Sequence, residues 1–165
     1  SVKMTPVNTI TINTDASHHP THKVGGYAFY IICNHFKIMK AGAFKTRPKN
    51  STDAETMCIG NALAELAKME LPKTTYLVIN TDSKHSISNI ERSYNDLSAQ
   101  VNKIWQKVIK KTSSTVNEFR WVRAHSKVKD SRSYANEWCD VNAKIHMRRA
   151  LKKKKNEEKR KRPTQ

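Results

Sequence analysis

Residues 7–45 read VNTITINTDASHHPTHKVGGYAFYIICNHFKIMKAGAFK, and the reading of this stretch decides the fold. Val7 to Asn13 alternates apolar and polar residues, the period of a strand with one buried face, and closes at Thr14-Asp15. A polar link, SHHPTHK, leads into the apolar and aromatic run VGGYAFYIIC, after which HFKIMKAGAFK alternates again. Three β-prone runs joined by short polar links predict an antiparallel meander.

Downstream the period becomes helical. Thr52 to Met69 carries an apolar face at Met57, Ala62, Leu63 and Leu66 and is stopped by Leu71-Pro72. Thr75 to Thr81 (TYLVINT) is compact and β-prone, as expected of a strand buried on both faces. A short helix is expected from Ser83, and a longer one along Leu97, Val101, Ile104, Trp105 and Val108. Phe119 to Val122 reads as a fifth strand. A last helix is expected from near Ser133, with Ala135, Trp138, Val141 and Ile145 facing inward. The order βββ-α-β-α-α-β-α predicts an α/β fold. Its sheet is mixed and five-stranded, with three antiparallel strands and then two parallel to the first, flanked by helices. Strands one, four and five are expected to be central.

The net charge of +17 points to a polyanionic partner, most commonly nucleic acid. From Arg148 onward ten Lys/Arg face two Glu, so much of the excess is terminal. The chain therefore divides into a domain over residues 1–147 and a basic tail over 148–165, the tail expected to be disordered or a frayed helix end. No apolar run approaches the ~20 residues of a membrane span, and no secretory leader pattern is present. The three cysteines, Cys33, Cys58 and Cys139, have no CxxC or zinc spacing, which favours a reducing, intracellular setting and a monomer without a disulfide framework.

Four acids fall where a sheet of this order would gather them. Asp15 closes the first strand and Asp82 the fourth, Glu55 opens the first long helix, and Asp140 lies in the last. Catalytic groups in parallel sheets collect beyond the carboxyl ends of neighbouring strands. Such a cluster needs cations, since close carboxylates cannot all ionise freely. Oxygen ligands suit magnesium, and a pair of such ions suits in-line phosphoryl displacement. Each acid also has a structural reading: Asp15 and Asp82 as turn residues, Thr52-x-x-Glu55 as a capping box, Asp140 as a solvated helix face. The ordered set carries more than any member.

TDAS at Thr14–Ser17 followed by GGYAFYI, STDAE at Ser51–Glu55, TDS at Thr81–Ser83, WVRAHS, and NEWCDVNAK from Asn136 together resemble the type-1 ribonuclease H family over roughly Thr9 to Lys144. The resemblance implies a metal site at Asp15, Glu55, Asp82 and Asp140 for two Mg2+, or Mn2+. It also implies cleavage of the RNA strand of RNA–DNA hybrids to leave 5′-phosphate ends. His125 matches the family's loop histidine, which implies a role in moving a proton or helping release product and metal. The implied contacts to nucleic acid are Ser17, Ser51 and Thr52, joined by the tail's Lys152, Lys153, Lys154 and Lys155.

There are departures. HHPTHKV stands where the family often has a Gly-rich loop, and Ser51 and Thr52 stand where Asn is common, which leaves preference for RNA over DNA open. A basic inserted helix is absent, because Leu97 follows Asp82 too closely. The segment from His125 to Asp140, with Lys127, Lys129 and Arg132, reads as a flap. His18, His19 and His22 read as a polar substrate-facing loop rather than a metal site. Alternatives at this stage are a related nuclease for another duplex, or a module that only binds nucleic acid. A proofreading-type exonuclease would want an acid at position 17, which is Ser. The tail equally suits a nuclear localisation signal in an otherwise cytoplasmic protein.

Overall fold

The computed structural model describes residues 4–123 and 131–162, with backbone alone for 131–133. In chain order the elements are β1 (Val7–His18), β2 (Gly25–Ile32), β3 (Lys37–Ala43), α1 (Ser51–Ala67), β4 (Thr74–Thr81), α2 (Lys84–Arg92), α3 (Asp96–Thr112), β5 (Val116–Trp121) and α4 (Ser131–Lys161). The five strands form one sheet in the order β3-β2-β1-β4-β5. β1, β2 and β3 pair antiparallel, while β1–β4 and β4–β5 pair parallel, so the expected mixed sheet is present. β1 and β4 are central as expected, but β5 is an edge strand. That corrects its expected place, and its short, largely exposed sequence VNEFRW suits an edge.

β1 is longer than its apolar alternation. Its parallel ladder to β4 stops at Asn13–Asn80, whereas its antiparallel ladder to β2 runs on to His18–Gly25. Backbone pairing needs no apolar side chain, so the strand continues through the polar residues DASH. Asp15 therefore lies within β1, at the notch where β4 has turned away, and not at the strand's end.

The two sheet faces are covered differently. Ile10, Ile12, Phe29, Ile31, Leu77 and Ile79 form one face with Ile59, Leu63 and Leu66 of α1 and Val101, Trp105 and Val108 of α3. On the other, Ala28 and Tyr30 meet Ala135, Cys139 and Ala143 of α4. α4 approaches β2 so closely that a Cβ on Gly26 would stand 2.2 Å from the Ala143 carbonyl oxygen and 2.6 Å from the Met147 nitrogen. Only glycine fits there.

The inward face of α4 differs from expectation. Ala135 is buried and Trp138 packs at the margin, but Val141 is 47% exposed, and Cys139 and Ala143 take the central positions. Small residues allow the close approach, and a β-branched side chain would hold the helix off. α4 also runs as one helix to Lys161, in place of the disordered or frayed segment expected over 148–165. Among the described residues no helix is long and apolar enough to cross a membrane.

Candidate metal centre

Three elements converge on the notch beside β1. β1 brings Asp15, α1 brings Glu55, and the turn after β4 brings Asp82; one ligand atom from each lies within 4.8 Å of the others. This is the one group of three or more potential ligands among the described residues. The notch lies beside β1 where its parallel ladder with β4 ends, off the carboxyl end of β4, the side on which α/β sheets place their sites.

Local chemistry fixes each acid. α1 is capped by Asn50, whose side chain accepts from the Asp53 N–H at 2.8 Å. The capping box read at Thr52–Glu55 is thereby replaced: Asp53 occupies the reciprocal position, and Glu55 is free to turn toward the sheet. The Ala16 N–H donates to Asp15 Oδ1 at 2.9 Å and to Glu55 Oε1 at 3.1 Å, tying strand and helix together. Glu55 is 8% exposed, and its Oε2 is buried with no hydrogen-bond partner. A buried, unpartnered carboxylate oxygen is costly, and a cation satisfies it.

The Asp82 backbone is held from β5. The Trp121 indole N–H donates to the Asp82 carbonyl at 3.1 Å, and Lys84 Nζ sits 4.0 Å above that ring. Ser83 caps α2 by accepting from the Ser86 N–H, which ends the turn just after the acid. Neither Asn50 nor the Trp121 bridge was foreseen from sequence. Asn50 was visible as a good capping residue ahead of Ser-Thr-Asp, whereas nothing local signals a contact between positions 39 apart.

Two buried thiols floor the site. Cys58 donates to the carbonyls of Asp15 (3.2 Å) and Ala28 (3.3 Å), and Cys139 donates to that of Asn13 (3.6 Å). Burial pushes both thiols up, so they stay protonated. The neighbouring amides are linked too, with Asn80 Nδ2 donating to Asn13 Oδ1 and Asn13 Nδ2 to the Tyr30 carbonyl.

The electrostatics match a site made for positive charge. Burial, then the charge of Asp82 and to a smaller extent that of Asp140, pushes the Asp15 carboxyl up to about 8. Burial and the charges of Asp15 and Asp82 push Glu55 well above the usual carboxylate range. Groups lifted this far are the ones a divalent cation returns to their charged form. An all-oxygen donor set suits a hard ion such as Mg2+.

Asp140 is outside the tight group, although its charge reaches Asp15. Its carboxylate pairs with Lys144 one turn on, at 3.1 Å. His125, Lys127 and Lys129 lie outside the described residues, as does the Arg132 side chain. Ser51 is exposed at the start of α1, Thr52 is half-buried beside it, and Ser17 is half-buried on β1 two residues beyond Asp15. Lys152, Lys153 and Lys155 are exposed on α4, with Lys154 half-buried. Of the histidines, His18 Nε2 meets the Pro48 carbonyl at 3.3 Å, while His19 accepts from the His22 N–H with the two rings 5.1 Å apart, and His22 faces Glu158.

Comparison with known proteins bears on the fold and the family. The chain is similar in fold to the N-terminal RNase H domain of a Mycobacterium tuberculosis protein, solved fused to maltose binding protein. That match has a TM-score of 0.65 at 14% identity and covers 88% of this chain and 98% of the other. A search of curated protein sequences returns no match. The family model described as RNase H matches residues 7–148, from the first residue of β1 into α4, and the chain belongs to the RNase H family.

Proposed function

We propose that this protein is a divalent-metal-dependent endonuclease that hydrolyses the RNA strand of RNA–DNA hybrids and leaves 5′-phosphate ends. The observation that carries the reading is the convergence of Asp15, Glu55 and Asp82 within 4.8 Å in a chain of the RNase H family. Asp140 completes the set on this reading, since its charge already reaches Asp15.

Two Mg2+ ions, or Mn2+, held by these four carboxylates would supply an activated water and charge stabilisation at the phosphate. The protein's own contribution is positioning. The Ala16 amide fixes one oxygen each of Asp15 and Glu55, and Glu55 Oε2, which has no hydrogen-bond partner, would be available to a cation. The Trp121 indole holds the Asp82 backbone so that its carboxylate stays at the notch. His125 is assigned the movement of a proton or help in the release of product and metal, roles to which histidine chemistry is suited. Ser17, Ser51 and Thr52 are assigned to the substrate strands near the cut.

The test is a cleavage assay on matched RNA–DNA, RNA–RNA and DNA–DNA duplexes with Mg2+, with Asp82→Asn alongside. The hybrid should be cut in its RNA strand, and the variant should lose more than about 100-fold, because even groups that merely support metal ligands are worth 10–100-fold. Activity that survives the change, or persists in chelator, would sink the mechanism. A related nuclease for another duplex is the second reading, favoured by the hydroxyls at Ser51 and Thr52. Preferential cutting of a non-hybrid duplex in the same assay would select it.

A further inference from the structure

Helix α4 does different work along its length. Up to Met147 it is seated on the sheet through Cys139, Ala143 and the gap at Gly26. Beyond Met147 its inward side stays half-buried at Ala150, Leu151, Lys154 and Glu157. There it passes the link between β1 and β2, where His22 Nε2 stands 3.5 Å from Glu158 Oε2. No acid falls on the outer side of this half. At 3.6 residues per turn, Glu158 falls on the side of Met147 and Leu151 together with Lys154 and Lys161, while Glu157 and Lys155 flank that side. Arg149, Lys152, Lys153, Lys159 and Arg160 fall on the opposite side, and these five and Lys155 are exposed. Rising ~1.5 Å per residue, the helix carries this row ~30 Å beyond Asp140. One turn of duplex is ~34 Å.

We propose that the C-terminal half of α4 is a rigid basic arm that holds the phosphate backbone of the substrate duplex up to one helical turn from the acid cluster. The inference rests on the hybrid-cleaving reading above and adds a dependence on substrate length. A duplex fits better than an anionic membrane for a physical reason. A surface-lying membrane helix needs an open apolar face, and the apolar side of α4 is turned to the sheet and the β1–β2 link. Phosphate contacts of this kind supply affinity without sequence choice.

The experiment measures binding of 8- and 24-base-pair hybrids to the full chain in EDTA, over a range of KCl concentrations. The variant Lys152→Gln/Lys153→Gln/Lys155→Gln keeps helix propensity nearly unchanged. The 24-mer should bind it at least about 10-fold more weakly at low salt, with the salt slope shallower by up to about 0.9 per lost phosphate contact. The 8-mer, which reaches only the near end of the row, should lose clearly less. Lys103→Gln/Lys107→Gln/Lys110→Gln on α3 is the charge control and should change neither. Equal losses on both lengths, equal losses from the control, or no loss would overturn the arm. So would unchanged hybrid binding accompanied by lost binding to phosphatidylserine vesicles. A length-dependent loss by a protein that cleaves no hybrid would leave the arm standing and remove the hybrid-specific reading instead.

Discussion

On one side of the sheet Ile10, Ile12, Leu77 and Ile79 meet Ile59, Leu63, Leu66 and Trp105 in a deep aliphatic layer, whereas on the other Ala28 and Tyr30 meet Ala135, Cys139 and Ala143. The thick side stabilises by volume: each fully buried Leu or Ile is worth roughly 1.5–3 kcal/mol. The thin side buries little per residue and instead sets a distance. It brings the backbone of α4 against Gly26, and with it Asp140 toward Asp15. Stability is thus carried largely by the thick face, whereas the acids come from both, Glu55 from α1 on the thick face and Asp140 from α4 on the thin one.

The largest effect should come from adding bulk to the thin side. Gly26→Val places methyl groups inside the α4 backbone, and unseating the helix should cost about 3 kcal/mol or more. Hybrid cleavage and Mg2+ affinity should fall with it, because Asp140 moves with α4. Thermal unfolding and metal titration read the two effects, and a stable, fully active variant would show that the close approach is not required.

Leu63→Ala on the thick side is the converse change. Removing a fully buried side chain should lower stability by about 2–5 kcal/mol, yet turnover by the folded fraction at low temperature should stay near that of the parent. Loss of turnover without loss of stability would erase the division between the faces.

Proton linkage at the notch gives a smaller, signed effect. The Asp15 carboxyl goes from an ordinary 3.8 to about 8 on folding, and Glu55 shifts in the same direction. The folded chain therefore binds these protons more tightly than the unfolded chain. In chelator their contribution to stability is present at low pH and is lost as pH rises toward and through about 8. Mg2+ relieves the repulsion, so it should raise the melting temperature more at pH 8 than at pH 5; a larger rise at pH 5 would contradict the assignment. Smallest of all, Val141→Ala should change stability by no more than about 0.5 kcal/mol, since Val141 is 47% exposed. A cost above about 1 kcal/mol would restore the apolar face read from sequence.

The same contrast explains what was legible in the sequence. The thick side announces itself, because Leu63, Leu66, Val101, Trp105 and Val108 repeat at helical spacing and Val7 to Asn13 alternates. The thin side does not, because Ala, Gly and Cys carry little hydropathy signal; Ala135 and Trp138 are inward as expected, but Val141 is exposed where Cys139 and Ala143 take the centre. The acids were readable as an ordered set, and the parallel pairing of β1 with β4 supplies the reason Asp15 and Asp82 meet. What stayed hidden were contacts across long sequence separations: the Trp121 indole on Asp82, the thiols of Cys58 and Cys139 beneath the carbonyls of β1, and the Ala16 amide shared by two carboxylates. The length of β1 was hidden as well, since a backbone ladder leaves no mark on side-chain pattern.

The long closure between β2 and α4 also sets a clock. Asp15 and Asp140 sit at opposite ends of the domain sequence, and the last helix must pair with a strand made more than a hundred residues earlier. Contacts of such separation form late. During synthesis at ~5–20 residues per second, Asp140 leaves the ribosome several seconds after Asp82. A nascent chain can fold its thick layer first and gain Asp140 only when α4 arrives, so on the proposed function a polysome-bound fragment would carry most of the fold and little of the activity.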